Sequence, residues 1–165
     1  MMKIPTFLNN HYRVFMLEFN NKDMNLLILL SEIATIEQLA RTKLDNALPK
    51  DLNISSFSVL NHFSGSKTER TPLQLARSFH VTKGAMTNTL TKLEKLGYIH
   101  VRPDWNDARK KRISISQSGI DARNYAMKSI KPILDEIVQK TDHLTKKSLL
   151  GDLRSFRESI EKNKI

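Results

Sequence analysis

Between positions 24 and 48 the apolar residues recur at Leu26, Leu29, Leu30, Ile33, Ile36 or Ala40, and Leu44, close to the helical period. The spacing predicts a long first helix over Met24–Leu48. The Leu48-Pro49 step ends it, because a residue before proline is pushed out of the helical region. Ser55 or Ser56 can cap a second helix carrying Phe57, Leu60 and Phe63. Thr71-Pro72 opens a third, with a capping hydroxyl followed by proline at the first helical position. After a turn at His80-Val81, Thr82 caps a fourth helix, which Gly97 ends. Its apolar stripe is Met86, Leu90, Leu93 and Leu96, expected to pack on the core. The period then drops to two. Tyr98–Arg102 and Arg112–Ser116 alternate as strands with one buried face, and the polar, basic stretch Pro103–Lys111 joins them as a hairpin loop. Ser116 or Ser118 can cap a fifth helix running towards Lys140, and Leu144–Ile160 reads as a sixth.

Two short helices, a tight turn and a longer capped helix make a helix-turn-helix signal, and the hairpin that follows directly adds a wing. The predicted fold is mainly α with a small β-hairpin wing. The winged helix-turn-helix core spans 53–118. It lies between an N-terminal arm and long helix (1–52) and C-terminal helices (119–165), both expected to serve dimerisation. Apolar surface on these flanks exceeds what so small a core needs, and patches of that size on a monomer are unusual. The residues expected at the dimer contact are Leu26, Leu30 and Ile33 from the first helix, with Leu149, Leu153 and Phe156 from the last.

Charge changes the picture from a fold to a partner. The 165 residues carry a net +10, and the excess is local. Residues 1–65 hold 6 basic and 6 acidic side chains, whereas 66–116 hold 11 basic and 4 acidic. A cationic face concentrated on the helix-turn-helix and wing points to a polyanion, and double-stranded DNA before a membrane surface. On the fourth helix Gly84, Thr87, Asn88, Thr91 and Lys95 form a second stripe, small and polar, ending in a cation. Small residues allow close approach to a major groove, Asn pairs with adenine edges, and Thr offers a hydroxyl or a methyl contact. The helix N-terminus can take a phosphate. In the hairpin, Arg109-Lys110-Lys111-Arg112 is a basic tip suited to a minor groove. Asp107, two residues before Arg109, would repel phosphate and is read as a brace for Arg109 or the loop backbone. Trp105 is read as a packed anchor at the loop base, with contact to sugar or base surfaces as the alternative.

These residues carry a family resemblance. Thr71–Gly119 resembles the winged-helix core of the MarR family of bacterial transcriptional regulators, with Asp104, Asp107 and Arg109 matching the spacing of the family's wing motif. Ile113-Ser114-Ile115-Ser116 with Gly119 resembles the strand and helix start that follow. Two positions depart from the pattern: Trp105 stands where proline is common, and Ala108 where a polar residue or glycine is usual. The resemblance implies a homodimer on a pseudo-palindromic operator, usually acting by repression. It places Thr82, Lys83, Gly84, Thr87, Asn88, Thr91 and Lys92 in the major groove and Arg109 in the minor groove, with Lys110 and Lys111 as further wing contacts to DNA, expected to act on all sequences alike. It also implies, as in many members, a small aromatic effector between the dimerisation helices and the reading domain.

Other classes fare worse. With no cysteine, thiolate metal sites and a Cys nucleophile are excluded. His11, His62, His80, His100 and His143 are scattered without metal-ligand spacing, so no metal, no cofactor and no enzymatic activity is expected. Leu26–Leu30 is the longest apolar run and far short of the roughly 20 residues a membrane span needs. Met1–Asn10 lacks the features of a signal peptide, which places the protein in the cytoplasm. Two rival readings remain open at this stage: a sequence-independent architectural DNA binder, and a winged-helix protein-interaction module.

Overall fold

The computed structural model describes residues 21–65, 68–141 and 147–162, so the N-terminal arm up to residue 20 and Leu144 lie outside the described residues. The chain divides into two units, 1–42 and 43–165. The described part of the first is one helix, α1 (Asn21–Ala47), whose last residues belong to the second unit. Within it Arg41 and Glu37 pair at 2.6 Å, one helical turn apart. No residue of α1 is buried. Leu26, Leu27, Ile28, Leu29 and Leu30 are 40–49% exposed. At 3.6 residues per turn, five consecutive apolar side chains encircle the helix rather than forming one stripe.

The second unit holds α2 (Ile54–Ser64), α3 (Pro72–Ser78), α4 (Lys83–Lys95), β1 (Ile99–Pro103), β2 (Lys111–Ile115), α5 (Gln117–Thr141) and α6 (Lys147–Lys162). Among the described residues it is the mainly helical fold with one antiparallel hairpin that the pattern predicts. The ladder pairs Ile99 with Ile115 and Pro103 with Lys111, so both strands sit within one residue of their predicted places. The second helix is a correction in detail. Its cap is Asn53, whose side-chain oxygen accepts from the Ser56 N–H at 2.9 Å, and Ser56 itself is buried in the core. An Asn one residue outside the helix satisfies that donor better than a serine already inside it.

Leu60, Leu75, Leu93 and Ile113, one each from α2, α3, α4 and β2, are among the most completely buried side chains. Each contributes about 1.5–3 kcal/mol by leaving water, so the helix-turn-helix and the hairpin share one core. Local signals then set the angles. Thr71 and Gln74 form a reciprocal capping box at the start of α3, with Pro72 at the first helical position. The turn from α3 to α4 is closed by Val81 N–H to Ala76 C=O (3.0 Å) and His80 N–H to Arg77 C=O (3.2 Å), with His80 in the left-handed region at φ 52°. The same pattern ends α4, where Tyr98 N–H reaches Leu93 C=O (2.9 Å) and Gly97 N–H reaches Glu94 C=O (2.9 Å), with Gly97 at φ 70°. Ser116 caps α5 by accepting from Gly119 N–H at 3.0 Å. A Cβ on Gly119 would lie 2.0 Å from the Tyr98 carbonyl oxygen, so only glycine lets α5 start this close to the end of α4. At the far end, His80 Nε2 meets Glu161 Oε1 of α6 at 2.9 Å. No helix among the described residues is long and apolar enough to cross a membrane.

Candidate nucleic-acid interface

Helix α4 buries Met86, Leu90 and Leu93. Leu96 does not join that stripe: the helix ends at Lys95, Leu96 becomes the cap residue, and its side chain is exposed. The opposite face carries Lys83, Gly84, Thr87, Asn88 and Thr91, all exposed, with Lys92 half-buried at its edge. Thr82 is also exposed, and its hydroxyl oxygen accepts from Ala85 N–H at 3.1 Å. The Thr87 hydroxyl donates to the Lys83 carbonyl at 2.8 Å, which turns its methyl and a remaining oxygen lone pair outward. A Cβ at Gly84 would meet nothing within 4 Å, so the first turn presents bare backbone. The face is thus low in relief and polar, with cations at both ends.

An open cleft of about 420 Å³ lies beside this face, lined by Asp51, Asn88, Thr91, Lys92, Lys95 and Leu96. A smaller one of about 260 Å³ is lined by Pro49, Asp51, Leu52, Tyr98, Ala122 and Tyr125. Asp51 borders both, and the Tyr98 hydroxyl donates to its carboxylate. That hydrogen bond, then burial, then the carboxylate's charge push the Tyr98 phenol up to about 12. Sequence reasoning missed Asp51: an isolated acid beside a basic helix gives no local signal, and its partner is 47 residues away.

The wing is held by charges. Asp104 is buried at the loop base. Its carboxylate accepts from Asn106 N–H at 2.9 Å and pairs with Arg112 Nε at 2.5 Å. The Asn106 N–H, followed by Arg112, holds that carboxyl below its ordinary value. Asp107 accepts from both the backbone N–H (3.2 Å) and Nε (3.1 Å) of Arg109, and its other oxygen lies 3.3 Å from Lys110 Nζ. The Arg109 side chain, its N–H and Lys110 likewise lower the Asp107 carboxyl. The Arg109 side chain is nonetheless 92% exposed, so the pair orients it without enclosing it. Lys110 and Lys111 are exposed beside it. At the middle of β2, Arg70 adds a one-residue bridge on the far edge through hydrogen bonds of 2.8 and 3.0 Å with Ile113. Next to it Glu69 accepts from Nε (2.9 Å) and Nη2 (2.5 Å) of Arg102. Trp105 corrects the packed-anchor expectation. It is 86% exposed, because the Asp104 turn around it is satisfied by polar groups and leaves the indole outside the core.

Residues 50–110 match the model of the MarR family. Several solved structures share the fold at low identity. The transcriptional regulator BldR from Sulfolobus solfataricus is 22% identical, with 87% of this chain and 99% of that one covered at a TM-score of 0.70. A mutant MarR from E. coli complexed with operator DNA is 21% identical, covering 82% and 95% at 0.67. CouR from Rhodococcus jostii bound to p-coumaroyl-CoA is 16% identical, covering 81% and 91% at 0.64. The matched residues run from the cleft at Asp51 through the exposed face of α4 to the braced arginine of the wing, and over this stretch the chain is similar to the MarR family.

Proposed function

We propose that this chain is a sequence-specific DNA-binding regulator of transcription, not an enzyme, acting as a homodimer by occupying promoter DNA. The observation that carries the reading is the exposed face of α4, where Gly84, Thr87, Asn88 and Thr91 stand free of the core while Met86, Leu90 and Leu93 fix the helix from behind. Such a face suits base edges in a major groove, with Thr82, Lys83 and Lys92 on flanking phosphates. Arg109, with Lys110 and Lys111, suits an adjacent minor groove. The operator complex of E. coli MarR supports the same use of this fold.

The dimer reading rests on α1 and α6. Leu26, Leu30, Leu149 and Leu153 are exposed, and Ile33 and Phe156 only half-buried, more apolar surface than a solitary chain leaves in water. A two-fold dimer puts two α4 helices on successive major grooves. In this organisation 1–52 and 119–165 serve assembly and 53–118 reads DNA. The larger cleft at Asp51 adjoins α4, and a small aromatic effector bound there would alter the fit to DNA. CouR, bound to p-coumaroyl-CoA, supports an effector of that kind.

Selection of bound duplexes from a random pool tests the reading. Enrichment of a two-fold-related site supports it. Binding without enrichment would leave an architectural role instead, and no binding at any salt concentration would favour a protein-interaction module.

A further inference from the structure

The least explained side chain in the second unit is Trp105. It is the chain's single tryptophan, and it stands 86% exposed at the wing. Lone exposed apolar residues are ordinary, but this one is presented by a built support. The residue before it, Asp104, is buried and closes a turn spanning it by accepting from Asn106 N–H at 2.9 Å. The Arg102 guanidinium covers one face of the indole, 4.8 Å from the ring centroid. Arg102 is itself fixed by both oxygens of Glu69, at 2.9 and 2.5 Å. One face is therefore stacked on a held cation, and the other face and the edge are open.

The surroundings choose the partner. Arg109, Lys110 and Lys111 lie exposed on the same loop, whereas the loop's acids, Asp104 and Asp107, are already paired. An apolar ring within a cationic rim fits a surface that is itself apolar between phosphates, which is the deoxyribose wall of a DNA groove. Insertion between base pairs requires both faces of a ring, and Arg102 occupies one. We propose that Trp105 is a DNA-contact residue whose free face packs flat on minor-groove sugars beside Arg109, a one-sided contact rather than an intercalating wedge. This inference rests on the DNA-binding reading above.

The single indole makes the test direct. A fluorescein-labelled A·T-rich duplex, long enough for two half-sites, is titrated at low salt. Anisotropy reports binding, and acrylamide quenching of Trp105 reports its access to solvent. We expect the duplex to reduce acrylamide quenching at least twofold, Trp105→Ala to weaken binding about five- to tenfold, and Trp105→Phe to restore most of the loss. Trp105→Ala should leave the melting temperature unchanged, since an exposed ring supports no core. If the wild type binds the duplex while Trp105 stays fully accessible and Trp105→Ala binds equally well, the contact is refuted and the DNA reading stands. A bound duplex that lengthens and unwinds would overturn the one-sided geometry in favour of intercalation. Shielding of Trp105 in concentrated protein without DNA would instead assign the ring to a protein contact. A wild type that binds no duplex defeats the DNA reading and this inference together.

Discussion

Helix α4 and the wing lie side by side on the same core, yet different forces hold them in shape. Behind α4 stand Met86, Leu90 and Leu93, all buried, and a hydroxyl cap and a glycine close its two ends. Apolar burial is insensitive to pH and only weakly sensitive to salt. The wing loop carries no buried apolar residue between Pro103 and Lys111. Its shape comes from Asp104 with Arg112, Asp107 with Arg109, and two backbone hydrogen bonds, Asp104 N–H to Lys110 C=O and Lys110 N–H to Asp107 C=O. One element is a fixed platform. The other is an electrostatic assembly whose parts respond to the charge of whatever it meets.

The difference can be broken at its strongest point first. Leu93→Ala should destabilise the protein by about 2–5 kcal/mol, since the site is fully buried and shared by helix and hairpin. Thermal melting measures this. A loss confined to α4, with the hairpin still folded by hydrogen exchange, would show that the two do not share one core. Next in size, Asn88→Ala should cost about 1–3 kcal/mol of discrimination between selected and random duplexes, with melting unchanged. Equal loss on both DNAs would assign Asn88 to a phosphate contact. Arg109→Ala should follow, weakening binding to A·T-rich flanks more than to G·C-rich ones.

Acid sharpens the comparison without mutation. Asp104 and Asp107 have lowered carboxyl values in the fold. Their contribution is therefore present above the ordinary aspartate value of 3.8 and is lost as pH falls through the lower folded values. Trp105 emission, a wing-local signal, should stay constant down to that range and then change before helical circular dichroism does. Coincident transitions would mean that the wing is held by the core and not by its ion pairs. The smallest effect lies at the other end of the scale. Tyr98 is raised to about 12, so its contribution is full below the unfolded value of 10 and fades as pH rises from 10 to 12. Tyr98→Phe should flatten that alkaline slope and lower neutral stability by about 1 kcal/mol, through loss of the hydrogen bond to Asp51.

What could be read from the sequence was what adjacent residues decide among themselves. Thr71-Pro72, Thr82 and Gly97 act on backbone groups within four residues, so composition alone marks them, and the change of period from four to two marks the hairpin. What could not be read depends on chain segments meeting. Glu69 reaches Arg102 across 33 residues and Tyr98 reaches Asp51 across 47, and nothing near either residue announces the partner. Leu96 keeps the apolar spacing but falls on the residue where the helix stops, so periodicity overruns the core by one step. Trp105 has the composition of an anchor, and only the satisfied turn beneath it shows that it points outward.

The two hydrogen bonds between Arg70 and Ile113 give the hairpin a further property. With β1 on one side of β2 and Arg70 on the other, the wing is a cantilever clamped through the middle of β2. A beam held that way deflects at its free end and transmits torque at the clamp. On the proposed DNA-binding reading, a mismatch in groove width would be absorbed by the tip around Arg109, while a twist of the whole hairpin would be delivered through Arg70 to the first turn of α3, ahead of α4.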